Sequence, residues 1–171
     1  MSYELYVKRF RRTLRSMRYY ELARDWANAE RCVGSALDHF IKAVLRARGI
    51  KKWEGKCCAG LFASAAQDLW RSLPQKLRVY LQSLSMSITS LAPEQRELSN
   101  DISYADAKYL LYYALKEVAE LIPHLDPTLK EVCSKLARIL EEEVTPKLLV
   151  PSDEELEEER IAQGLANLFK G

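Results

Sequence analysis

Apolar residues recur every three to four positions along nearly the whole chain, and no stretch alternates with a period of two. Every element predicted from the pattern is therefore a helix. The first covers about 2–15, where Tyr3, Tyr6, Val7, Phe10 and Leu14 form one stripe and Lys8, Arg9, Arg11, Arg12 and Arg15 take the other faces. A longer helix is predicted over about 18–48. Its stripe runs through Leu22, Trp26, Ala29, Val33, Ala36, Leu37, Phe40, Ile41, Val44 and Leu45, with Gly34 the only interior glycine. Gly49 supplies the stop, after Arg46 and Arg48, which suit a helix C-terminus.

A basic loop, 50–56, leads to a third helix over about 57–72 with Leu61, Phe62, Ala65, Leu69 and Trp70 on its stripe. Pro74 interrupts, and a fourth helix over about 75–90 carries Leu77, Tyr80, Leu81, Leu84 and Ile88 before fading into a serine-rich stretch of poor helix propensity. Residues 91–102 are a polar loop. Ser103 to Asp106 reads as a capping box opening a fifth helix that ends near Leu121, ahead of Pro123. Asp126 caps a sixth, with Pro127 at the first position, where its missing N–H is harmless; that helix ends in Glu141, Glu142 and Glu143. Residues 147–151 read as extended, and Ser152 to Glu155 as the cap of a short last helix, acidic at its start and apolar at Ile161, Leu165, Leu168 and Phe169. The pattern predicts an all-α fold: an antiparallel up-and-down bundle of four to five core helices with flanking helices. Residues 1–146 would form the bundle domain and 147–171 an acidic extension that either docks back or is offered to a partner.

At 171 residues, 48% hydrophobic and 29% charged, the chain suits one globular domain with a real core. No apolar run approaches the roughly 18 residues that cross a bilayer, and the N-terminus lacks the apolar core of a signal peptide. A cytoplasmic protein with no membrane association is expected. Cys32 and Cys133 sit inside helical patterns, as small buried residues do, and the adjacent Cys57 and Cys58 have no second ligand pair at zinc spacing. Structural, reduced thiols are expected, and no cofactor or metal.

The net charge of +2 conceals a split. Residues 1–90 carry 17 Lys and Arg against 7 Asp and Glu, while residues 91–171 carry 9 against 17. Either an anionic partner for the first half or pairing of the halves within the molecule would account for it.

Three stretches stand out: Tyr20-Glu21-Leu22-Ala23, Asp38-His39-Phe40-Ile41-Lys42-Ala43-Val44-Leu45, and Ile102 to Ala107. They resemble motifs of the HEPN family, small helical bundles found with nucleotidyltransferases and in RNA-directed defence systems. The first resembles the tyrosine-and-alanine opening of that family's second helix, and the second is similar to the same helix's acidic-x-x-apolar-Lys-Ala core. The third resembles the start of the last core helix. The likeness spans about 18–122. Active family ribonucleases place a histidine four to six residues after an arginine. Here the only histidines are His39, with seven residues separating it from Arg31, and His124, with no arginine between it and Arg96. The resemblance therefore implies a non-cleaving member.

Neither histidine stands in a nucleophilic constellation, and both read as ordinary packing or surface residues. The acidic runs lack the glycine and alternating oxygen ligands of a calcium loop and read as a solvated helix start. The strongest chemical signal is Lys8, Arg9, Arg11, Arg12, Arg15 and Arg18, with tyrosines interleaved. These residues suit phosphate neutralisation and base stacking, and Arg46, Arg48, Lys51 and Lys52 would lengthen the patch if they share its face. The leading expectation is a non-catalytic domain that binds RNA, DNA or a nucleotide, or a nucleotidyltransferase-type protein. The alternatives are a protein-interaction scaffold, expected as a homo-oligomer, and a ribonuclease with an unrecognised site.

Overall fold

The computed structural model of the protein describes residues 2–51, 75, 79, 99–149 and 153–169. Apart from Gln75 and Val79, the predicted third and fourth helices lie outside these residues, as do Lys52, Lys56, Cys57 and Cys58. Among the described residues the fold is all-α, with no strand and with helices packed against one another.

Helix α1 spans Glu4–Leu22 and buries Tyr6, Phe10, Leu14, Met17 and Glu21. It runs seven residues past its predicted end because nothing at 16–18 breaks a helix. The break comes instead at Ala23, Arg24 and Asp25. Arg24 adopts φ +56°, its N–H bonds Glu21 O at 3.1 Å, and the Asp25 N–H bonds Tyr20 O at 2.9 Å. This is a Schellman closure with arginine in the left-handed position usually given to glycine. Asp25 then caps α2, Trp26–Ala47, by accepting from the Asn28 N–H. The single long helix predicted from 18 is thus two elements, because Asp25 starts a new helix where the apolar stripe alone reads straight through. Gly49, at φ +83°, closes α2 as its sequence position predicts.

Helix α3 spans Asp101–Leu125. Its cap is Asn100, not Ser103: Asn100 Oδ1 accepts the Ser103 N–H at 2.9 Å while Ser103 Oγ accepts the Asn100 N–H at 3.0 Å. The box is real but begins three residues earlier than predicted. Pro123 lies inside the last turn without ending it, since only its own hydrogen bond is lost and Asp126 N–H still bonds Ile122 O at 2.8 Å. Asp126 caps the next element through Thr128 N–H, as predicted. One 3-10 turn, Pro127–Leu129, leads into α4, Lys130–Glu143. Residues 144–149 are irregular, and α5 spans Asp153–Phe169.

Phe10 meets Phe40 edge to face at 5.8 Å between antiparallel α1 and α2. Helices α2 and α3 run in the same direction. Their starts meet at Trp26 and Tyr104, ring centroids 5.6 Å apart, and Arg48 lies 3.7 Å from Asp126 at their ends. Helix α4 runs antiparallel to α3 and alongside α1 in the same sense, which brings Lys135 to Glu4 and Glu143 to Arg15. The core is one cluster drawn from all four helices, with Phe10, Leu14, Leu37, Phe40, Ile41, Tyr104, Leu115 and Leu136 fully buried.

Candidate nucleic-acid interface

Helix α1 buries one face, so Lys8, Arg11, Arg12 and Arg15 project from another. Helix α4 does likewise with Val132, Leu136, Ile139 and Leu140 inward and Lys135 and Arg138 outward. Because the two helices lie side by side, their cations face across a groove of about 450 Å³. It is lined by Val7, Lys8, Arg11, Arg12, Arg15, Lys135, Arg138 and Ile139. Val7 and the edge of the largely buried Ile139 supply a small apolar surface, and the remaining six supply positive charge.

Some of that charge is already used. Arg11 Nη1 lies 3.0 Å from Glu142 Oε2 and 2.9 Å from Glu143 Oε1, and Arg15 Nε donates to Glu143 Oε1 at 3.0 Å. The Glu142 hydrogen bond is the main cause raising the Arg11 pKa above the usual guanidinium value. Lys135 donates to Tyr3 Oη at 3.4 Å and lies 3.3 Å from Glu131, and these two contacts, Tyr3 first, raise its pKa. Lys8, Arg12 and Arg138 are exposed and have no carboxylate within 4.0 Å among the described residues. Part of the charge split is therefore internal pairing across the α1–α4 seam, and part is uncommitted.

Other sequence-nominated cations fall elsewhere. Arg9 is stacked on the Tyr6 ring at 5.6 Å and does not line the groove. Arg18 lines a smaller cleft of about 70 Å³, with Glu21, Lys108, Glu142, Glu143, Thr145 and Leu149 on its wall. Arg46 is half-buried at the end of α2, Arg48 pairs with Asp126 at the far end of the bundle, and Lys51 is exposed beyond it. Lys52 lies outside the described residues. Lys135 and Arg138 were not legible from spacing: they stand some 120 residues from α1, and only the α1–α4 packing makes them neighbours.

Beside the groove lies a buried polar clasp. Glu21 Oε2 accepts from Tyr104 Oη at 2.6 Å and from Lys108 Nζ at 2.8 Å. Glu21 Oε1 accepts the Leu149 N–H, and Lys108 Nζ also donates to Lys147 O at 2.9 Å. Burial, reinforced by Glu21, drives the Tyr104 pKa far above the normal phenol range. Ser103 Oγ donates to Glu30 nearby. The clasp fixes residues 147–149 against the ends of α1 and α3.

Cys133 is buried and Cys32 half-buried, both free thiols, and burial pushes their pKa values up to about 12 and about 11. Burial also lowers the His39 pKa, with Asp38 opposing and Lys42 and Arg9 adding to the shift. His124 is exposed on the last turn of α3. Among the described residues no three His, Cys, Asp or Glu side chains gather as a metal site, and no helix is long and apolar enough to cross a membrane.

No protein-family model matches the chain, and comparison with curated proteins and with solved structures likewise gives no match.

Proposed function

We propose that the protein is a non-catalytic, HEPN-like helical domain that binds nucleic acid by its phosphates in the groove between α1 and α4. One observation carries this reading: among the described residues Lys8, Arg12 and Arg138 have no carboxylate partner, and they stand around a concave surface that also offers Val7 and Ile139. Cations converging on a groove neutralise a phosphate backbone, and an apolar floor accepts base or sugar edges. The absent arginine–histidine motif supports binding without cleavage.

The test is fluorescence anisotropy with labelled single-stranded RNA and duplex DNA at about 50 and 200 mM salt. Three phosphate contacts should weaken single-strand binding on the order of 20-fold over that range, and duplex binding about 40-fold. Absence of binding at the lower salt overturns the reading.

A second reading, a protein-interaction module forming homo-oligomers or engaging a nucleotidyltransferase-type partner, is favoured by α5, whose Ile161, Leu165, Leu168 and Phe169 are 51–90% exposed. It predicts association that is insensitive to salt and lost with α5, read by sedimentation velocity.

A further inference from the structure

Helix α5 presents one face made of Glu154, Glu158, Ile161, Leu165 and Leu168, with Glu157 at its edge. The spacing alternates four and three, so these residues stack along a single side of the helix. Acid occupies its first two turns and apolar residues the rest. Every described side chain on α5 is exposed, so the face stands open.

The α1–α4 groove carries complementary chemistry in the same order when followed from the C-terminal end of α1. Arg15, Arg12 and Arg11 come first, then Val7 and Ile139 beside Lys8 and Arg138, and Lys135, 3.7 Å from Glu4, closes the far end. The chain that leads to α5 is anchored at that end through Leu149. Leu149, held by Glu21, lines the cleft that Arg18 shares. The chain from Leu149 to Asp153 spans at most about 14 Å. The rise from Arg18 back to Arg12 is about 9 Å of helix. The first turn of α5 therefore reaches the arginines, and the rest of the helix then runs toward the apolar floor.

We infer that α5 folds down onto the groove of its own chain as an acidic gate that competes with nucleic acid. The inference rests on the groove being the nucleic-acid site. Exposed ion pairs are individually weak, but a short tether holds the helix at millimolar effective concentration. Burial of the Ile161–Leu165–Leu168 stripe adds an apolar contribution. A gate closed nine times in ten raises the apparent Kd about tenfold, since only the open fraction binds.

The experiment uses the full chain and the variant E154Q/E157Q/E158Q, which alters neither groove nor clasp. Binding of labelled single-stranded RNA is compared at low salt, and carbodiimide cross-links in the RNA-free full chain are mapped by mass spectrometry. The expected result is about tenfold tighter binding by the variant, with cross-links within the full-chain monomer from Lys8 to Glu157 or Glu158. Equal affinity and no such cross-link overturn the gate while leaving the groove reading intact. Cross-links confined to dimers also overturn it, in favour of helix exchange between copies. If neither chain binds RNA, the groove reading fails, and the monomer cross-link alone then decides whether α5 docks there.

Discussion

The Glu21 carboxylate lies 2.8 Å from the Lys108 ammonium, with the two side chains 1% and 3% exposed. Their elements are far apart in sequence, so this pair ties the end of α1 to the first turns of α3. Truncating one partner of a buried pair leaves the other charge uncompensated, which typically costs about 3–5 kcal/mol. Lys108→Met is therefore expected to lower the unfolding free energy by about that amount in urea titration. Adding Glu21→Gln should recover only part of the loss: it removes the stranded charge, but one amide oxygen cannot replace both carboxylate oxygens that accept from Tyr104 Oη and the Leu149 N–H.

Arg24 holds φ +56° with its side chain exposed. Glycine adopts this conformation without the Cβ penalty, though it gains freedom in the unfolded chain. Arg24→Gly should stabilise the protein by about 0.5–1 kcal/mol, seen as a higher urea midpoint with an unchanged slope.

Burial depresses the folded-state pKa of His39 below its ordinary 6.5. A depressed pKa means that the folded state binds the proton less readily. The stability contributed by neutral His39 is then complete above about pH 6.5 and is lost as the pH falls. His39→Gln should flatten the stability profile between about pH 7 and 5, measured by urea midpoints across that range.

Within the groove, Arg138 has no carboxylate partner among the described residues, whereas Arg9 sits on Tyr6 outside it. Arg138→Ala should weaken nucleic-acid binding and lower the salt slope by about 0.7–0.9. Arg9→Ala should leave both nearly unchanged. Equal losses from the two would sink the assignment of the groove, since the sequence alone nominates Arg9 and passes over Arg138.

The thiols offer a check on packing. Cys133 is 1% exposed and its pKa is pushed up to about 12, so it carries almost no thiolate near neutrality. Iodoacetamide labelling at about pH 8, mapped by mass, should leave Cys133 unmodified until denaturant is added.

Features set by local chemistry were legible in the sequence. Gly49 and the Asp126–Pro127 start behave as spacing predicts, because a left-handed closure and an N-cap are decided within a few residues. The α1–α2 break was hidden because arginine, not glycine, occupies the left-handed position and the apolar stripe continues through it. Asn100 was missed because Ser103 is itself half of the box and a plausible cap alone. The basic run on α1 was visible, yet its division into groove-facing Lys8 and Arg12, paired Arg11 and Arg15, and outlying Arg9 depends on where α4 lies. Glu21 and Lys108 carried no signal, since a charge reads as solvated until tertiary packing encloses it.

The polar contacts of the clasp to residues 147–149 go to peptide groups, the Leu149 N–H and the Lys147 carbonyl, while Leu148 packs against the core. Every amino acid but proline can present that N–H, so the anchorage is blind to the identity of the chain that follows. The bundle thus ends in a generic mount. Whatever peptide is joined after residue 149 would leave the molecule from the same point, beside Arg18, whether it is an acidic helix or a sequence grafted in its place.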